Sequence, residues 1–166
     1  MLDRQKILIG MVAGLVWAGM LLWIGTTYVN VPAFSRQLVA PFYFFAPDLV
    51  LLAMIACLAL RRMVGNSFPE GKAPVPGTGA EIDAEVLKNT IEHCVLALCL
   101  WPAISIMELE DGPGIVLMLS VGFAIARIAY WVGSYSSPLL RAFGFAATLF
   151  PTVIALFWTV MWWLLT

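Results

Sequence analysis

The stretch ILIGMVAGLVWAGMLLWIGTTYV, residues 7–29, contains no charged side chain. A helix rises about 1.5 Å per residue, so roughly 20 apolar residues cross the hydrocarbon of a bilayer, and this run is long enough. It is too long for the apolar region of a signal peptide, and no convincing small-residue cleavage site follows it, so it reads as a membrane helix. Working outward, four further runs reach or approach the same length. Residues 38–60 carry only Asp48, residues 86–107 are polar at their start and wholly apolar from Cys94, residues 115–132 hold only Arg127, and residues 142–165 hold no charge. The whole chain agrees: of 166 residues, 62% are hydrophobic and 11% charged, far from the roughly 25% charged residues of a soluble domain. The expected fold is an all-α integral membrane protein, an antiparallel bundle of five transmembrane helices.

Nine basic and ten acidic side chains leave a net charge of −1, which provides no basic surface for nucleic acid. The three cysteines, Cys57, Cys94 and Cys99, lie inside apolar runs without metal-ligand spacing, so neither a disulfide framework nor a metal site is indicated. The connections differ in character. Residues 61–85 are polar and rich in Gly and Pro, which reads as a long loop. Residues 108–114 and 134–140 are short turns, so the last three helices are antiparallel neighbours.

Basic residues fix the expected orientation. With the N-terminus inside, Arg4, Lys6, Arg61, Arg62, Lys72, Lys88 and Arg141 face the cytoplasm, and Arg36 alone lies outside with the acidic turn of Glu108, Glu110 and Asp111. Several polar groups then share one depth. Arg61 and Arg62 end the second span; Asn89, Glu92 and His93 open the third; Arg127 and Tyr130 fall in the last turns of the fourth; Arg141 starts the fifth. Asn89, Glu92 and His93 have i, i+3, i+4 spacing, and Arg127, Tyr130 and Ser134 have i, i+3, i+7 spacing, so each set lines a helix face. Two readings are open at this stage: a buried structural ion pair between Glu92 and Arg127, or a polar site. Gly10, Gly14 and Ala18 form a small-residue stripe suited to close packing of the first helix.

Three segments carry a family resemblance: ALRRMVGNSFPE (residues 59–70), NTIEHCVLAL (89–98) and RIAYWVGSYSSPLLRAFGF (127–145). In this order and at these loop lengths they resemble the membrane-associated proteins in eicosanoid and glutathione metabolism, the MAPEG family, through its bacterial members and the microsomal glutathione transferases. The similarity spans roughly residues 40–160. It divides the chain into an additional N-terminal helix within residues 1–36 and a MAPEG-like four-helix unit, residues 37–166. The resemblance implies a homotrimer in a membrane, the bacterial inner membrane being expected, with glutathione as cosubstrate bound between subunits near the cytoplasmic face.

Carried across residue by residue, Asn89 and Glu92 match the polar pair of the glutathione-contacting helix, with His93 beside them. Tyr130 matches the family's tyrosine, Arg127 the arginine of the R-x-x-Y motif, and Arg61 and Arg62 the basic residues closing the family's first helix. Arg141 matches the arginine at the glutathione sulfur. Two positions depart. Glu85 stands where the transferases carry an arginine, and Ser134 replaces a second tyrosine, for which Tyr135 is the substitute.

A site for glutathione wants several cations, a carboxylate for the ammonium and a positive group near sulfur. A free thiol has a pKa near 8.5, and lowering it by about two units takes about 2.7 kcal/mol of preferential thiolate stabilisation. Arginine supplies this by electrostatics, never as a base. The expected activity is conjugation or reduction of a lipophilic substrate, with Arg141 catalytic. Two alternatives stand beside it: a non-catalytic lipid-binding or scaffold protein of the same fold, and a transport path through Asp48, Glu92, His93 and Arg127.

Overall fold

The computed structural model describes residues 3–32, 40–64, 73–107 and 111–165. All long elements among them are helical: α1 (Asp3–Thr27), α2 (Phe45–Val64), α3 (Gly79–Met107), α4 (Gly112–Ser136) and α5 (Pro138–Leu165), with one turn of 3-10 helix at Ala40–Tyr43. Four of them, α1, α3, α4 and α5, are long and apolar enough to cross a membrane. The expected fifth span is α2, whose 20 residues include Asp48 in the first turn and Arg61 and Arg62 in the last. Its length of about 30 Å matches the hydrocarbon only with these charges at the two interfaces. The protein is therefore a multi-pass membrane bundle. Arg36, Lys72, Glu108 and Glu110, used in reading the orientation, and the boundary at residues 36 and 37, lie outside the described residues.

The segment expected to be a loop, residues 61–85, is helical at both ends. The α2 helix continues to Val64, and α3 begins at Gly79. The cause is local. Thr78 is followed three residues later by Glu81, the spacing of a capping box. The Glu81 carboxylate accepts from the Gly77 backbone N–H at 2.7 Å, and the N–H groups of Glu81 and Ile82 donate to the Thr78 carbonyl. Gly77, at φ +78°, is the one described residue in the left-handed region, which glycine enters without steric cost.

The turn between α4 and α5 is also tighter than residues 134–140. Only Ser137, with extended backbone, separates the two helices, and its N–H donates to the Gly133 carbonyl at 3.0 Å. Pro138 opens α5, where its missing N–H costs nothing. The two backbones touch here: a Cβ on Gly133 would stand 2.6 Å from the Leu140 carbonyl carbon.

The α4 helix packs against all four other helices, and α1 lies along α5 and α4. That contact uses the predicted stripe. Gly10, Gly14, Ala18, Leu21 and Gly25 are the buried residues of α1, and a Cβ on Gly10 would stand 3.0 Å from the Ala142 Cβ. The two ends of the bundle differ. At one, Trp101 stacks on Phe44 at 5.8 Å, meets Phe123 edge-on at 6.0 Å and donates to Thr152 at 3.2 Å. Ile104, Val116 and Leu119 complete a dry core there. The opposite end carries the polar groups.

Candidate functional site

Two polar clusters form at that end, where α2 and α4 finish and α3 and α5 begin. The first centres on Asp83, only 3% exposed in the first turns of α3. Its Oδ2 lies 2.5 Å from Arg61 Nε, while its Oδ1 accepts from Trp131 Nε1 at 2.7 Å and from the Tyr135 hydroxyl at 2.5 Å. Cys57 Sγ donates to Oδ2 at 3.8 Å. A carboxylate desolvated to this degree survives only with its lone pairs satisfied. The donors come from α2 and α4, so Asp83 ties three helix ends together.

The second cluster centres on Arg127, fully buried in α4. Its Nη1 donates to Asn89 Oδ1 at 2.7 Å and its Nε to Thr148 Oγ1 at 3.0 Å. Its Nη2 finds no partner among the described residues. The guanidinium lies 5.0 Å from the centre of the Tyr130 ring, and the Arg141 guanidinium lies 6.0 Å from the same centre. Both distances suit attraction of a cation by the ring quadrupole. The only ion pairs among the described residues are Lys6–Asp3 and Arg61–Asp83. Two cations therefore stand against one aromatic ring with no described carboxylate in contact with either.

Beside this ring is an open cavity of about 620 Å³, lined by Tyr130 and Ser134 of α4, by Arg141 and Phe145 of α5, and by Ile7 and Met11 of α1. Its size is that of a small-molecule site. Arg141 reaches it from the first turn of α5, where backbone N–H groups and the helix dipole already favour an anion.

The expected site residues divide between these places. Arg127, Tyr130 and Ser134 do share a face of α4, with Tyr130 and Ser134 on the cavity, and Arg141 stands on the cavity too. Asn89 holds Arg127. His93 is buried, its Nδ1 2.9 Å from the Asn89 carbonyl oxygen and its ring edge-on to Phe145, while its Nε2 is unpartnered. Arg61 and Tyr135 belong to the Asp83 cluster, although Tyr135 also borders the cavity. Arg62 is exposed at the end of α2.

The expected partnership of Glu92 with Arg127 is not formed. Glu92 is exposed, because the buried stripe of α3 runs through Asp83, Val86, Thr90, His93, Ala97 and Trp101. Successive residues point about 100° apart on a helix, so with His93 turned inward its neighbour Glu92 turns out. Asp48 is exposed in the first turn of α2, at the opposite end of that helix from Arg61. A polar chain across the bundle through Asp48 is thus broken. Asp83 was missed as a site residue because it fell inside the presumed loop. Counting back from Trp101 through Ala97, His93, Thr90 and Val86 at intervals of three and four residues reaches it.

A bundle of long apolar helices with two arginines against one tyrosine near one end defines the class as multi-pass helical membrane proteins. The family model of the MAPEG family matches residues 40–161, and the chain belongs to that family. No curated protein and no solved structure matches it at a significant level.

Proposed function

We propose that this protein is a membrane-embedded, glutathione-dependent transferase or peroxidase acting on lipophilic substrates. The observation that carries the reading is that Arg127 and Arg141 both stand against the Tyr130 ring, free of any described carboxylate, with Arg141 and Tyr130 lining a cavity of about 620 Å³. An anion completes such a site. Glutathione offers one as its thiolate, and Arg141, exposed in the first turn of a helix, is placed to hold it while Arg127 stays fixed by Asn89 and Thr148. The thiolate then bonds to an apolar electrophile, or to the terminal oxygen of a lipid hydroperoxide, breaking the O–O bond to leave the protonated alcohol and a glutathione sulfenic acid that a second glutathione converts to disulfide and water; either acceptor is delivered sideways from the bilayer.

Glu92 supports the homotrimer. It stands on an α3 face with exposed Ile91, Val95 and Leu96, and a carboxylate facing lipid costs several kcal/mol. A second copy covering that face relieves the cost and brings Glu92 to a shared site as the carboxylate for the glutathione ammonium. The lysine and arginine bias supports a cytoplasmic N-terminus, and with it the bacterial inner membrane. Exposed Glu85 favours the alternative, a non-catalytic lipid-binding protein of the same fold.

Isothermal titration of the detergent-solubilised protein with glutathione, combined with thiolate absorbance, tests the reading. Binding with thiolate formation near neutral pH is expected. Binding without turnover of any electrophile or hydroperoxide would select the alternative.

A further inference from the structure

The cavity is not built by the family's helices alone. The family match begins at residue 40, yet Ile7 and Met11 of α1 form part of the lining. We propose that α1 is the wall of the acceptor subsite, and that an apolar chain carried by the lipophilic substrate lies against Ile7, Met11 and Phe145 with its reactive head at Arg141. The inference rests on the activity proposed above and adds a specificity element to it.

The argument starts from the small-residue stripe. Gly10 and Gly14 have no side chains, so α1 approaches α5 until a Cβ at either position would collide with Ala142 or Ala146. Ile7 and Met11 are four residues apart and share a face flanking that seam. The close approach brings them to the rim of the cavity, three turns or fewer from the start of α1. They are only part covered, at 43% and 39% exposed, and they line the same cavity as Arg141, Tyr130 and Ser134. One wall is thus aliphatic and the other polar and cationic. An occupant that satisfies both is an amphiphile, with an oxygen-bearing reactive head on the arginine side and a hydrocarbon chain on the α1 side. Phe145, in contact with His93, closes the apolar side.

Unsaturated aldehydes make direct probes, because the conjugation balances without a leaving group. The glutathione sulfur bonds to the β-carbon, the alkene electron pair moves toward the carbonyl oxygen, and water returns a proton to the α-carbon. The measured quantity is the kcat/KM for dodecenal divided by that for hexenal, in the full-length protein. Met11→Trp and Ile7→Trp fill the chain's place and should each lower this ratio about tenfold, the scale at which an apolar pocket discriminates chain volume. Val12→Trp, on an exposed position outside the lining, should leave the ratio unchanged. An unaltered ratio in Met11→Trp and Ile7→Trp, or an equal fall in Val12→Trp, would overturn the inference.

If the wild-type protein turns over neither aldehyde, the activity proposed above fails by itself. The subsite is then read by photolabelling with a fatty aldehyde bearing a terminal diazirine. Adducts on the peptide containing Ile7 and Met11 sustain the placement of the chain, and adducts confined to other helices refute it.

Discussion

Arg61 and Arg127 sit at the same end of the bundle, on helices that touch, and their surroundings are opposite. Arg61 is partly exposed, at 42% of its side chain, and has the Asp83 carboxylate 2.5 Å away. Arg127 is wholly buried, held by two neutral side chains and two aromatic rings, and keeps one unpartnered nitrogen. Depth alone would assign the counter-ion the other way round, since the more desolvated charge gains more from a partner. The first cluster is closed, with its charges cancelled and its lone pairs filled. The second retains net positive charge, and Arg141 adds to it. Closure fits a fastening of helix ends, and uncancelled charge fits a site that waits for an anion.

The largest effect expected from breaking this contrast falls on Arg141. Arg141→Ala should lower turnover about a thousandfold, the upper range for removing one preorganised donor to a developing or resident anion. It should also move the thiolate absorbance of bound glutathione to higher pH. A mutant that binds glutathione and ionises it as before would return Arg141 to the role of a headgroup anchor.

Next in size are the members of the closed cluster, and they should be unequal. Arg61→Met strands a buried carboxylate with neutral donors only, at a cost of about 3 kcal/mol. Asp83→Asn leaves an arginine that can turn to water or headgroups, at a cost of about 1 kcal/mol. Unfolding of each variant by dodecyl sulfate in mixed micelles measures the order. If Asp83→Asn proves the more damaging, the cluster is not the fastening described.

A smaller coupling is expected between Asn89 and Arg127. In a double-mutant cycle with Asn89→Ala and Arg127→Met, the interaction energy should be about 1 kcal/mol, since hydrogen bonds between membrane helices are individually modest. The corresponding cycle of Glu92→Gln with Arg127→Met should be additive, because the two side chains do not meet. The smallest effect concerns Tyr130. Tyr130→Phe preserves a ring between the two guanidiniums, whereas Tyr130→Leu removes it and should lose about 0.5 kcal/mol more in the same unfolding assay.

Helix number and order were legible in the sequence because they rest on length and apolarity, which hydrocarbon thickness makes a strong filter. The shared depth of Arg127, Tyr130 and Arg141 was legible for the same reason: once each span is placed, its ends follow. The partners were harder to read. Asn89 and Glu92 are three residues apart, and spacing alone permits both to face inward. The choice is made by the stripe from Asp83 to Trp101, whose packing against α4 turns His93 in and Glu92 out. The long loop was overestimated because its Gly and Pro content outweighed the single Thr78–Glu81 spacing at the start of α3, and Asp83 was lost with it. The part taken by α1 in the cavity lay beyond sequence reasoning, since the Gly10–Gly14 stripe shows that a helix packs closely but not upon which neighbour.

The joint at Ser137 bears on how the chain enters the membrane. The α4 helix carries a buried arginine, and placing that charge in lipid on an isolated helix costs about 2.5–3.5 kcal/mol even by the mildest scale. One of its two hydrogen-bond partners, Thr148, is on α5, which a single residue separates from α4. The two helices therefore gain by leaving the translocation machinery as a hairpin, with Arg127 already bonded to Thr148 before it meets hydrocarbon. Asn89, on the helix synthesised just before, is waiting to complete the set. On this view the brevity of the joint is a biosynthetic device, and lengthening it with a flexible insert should be felt first as a fall in the yield of inserted protein.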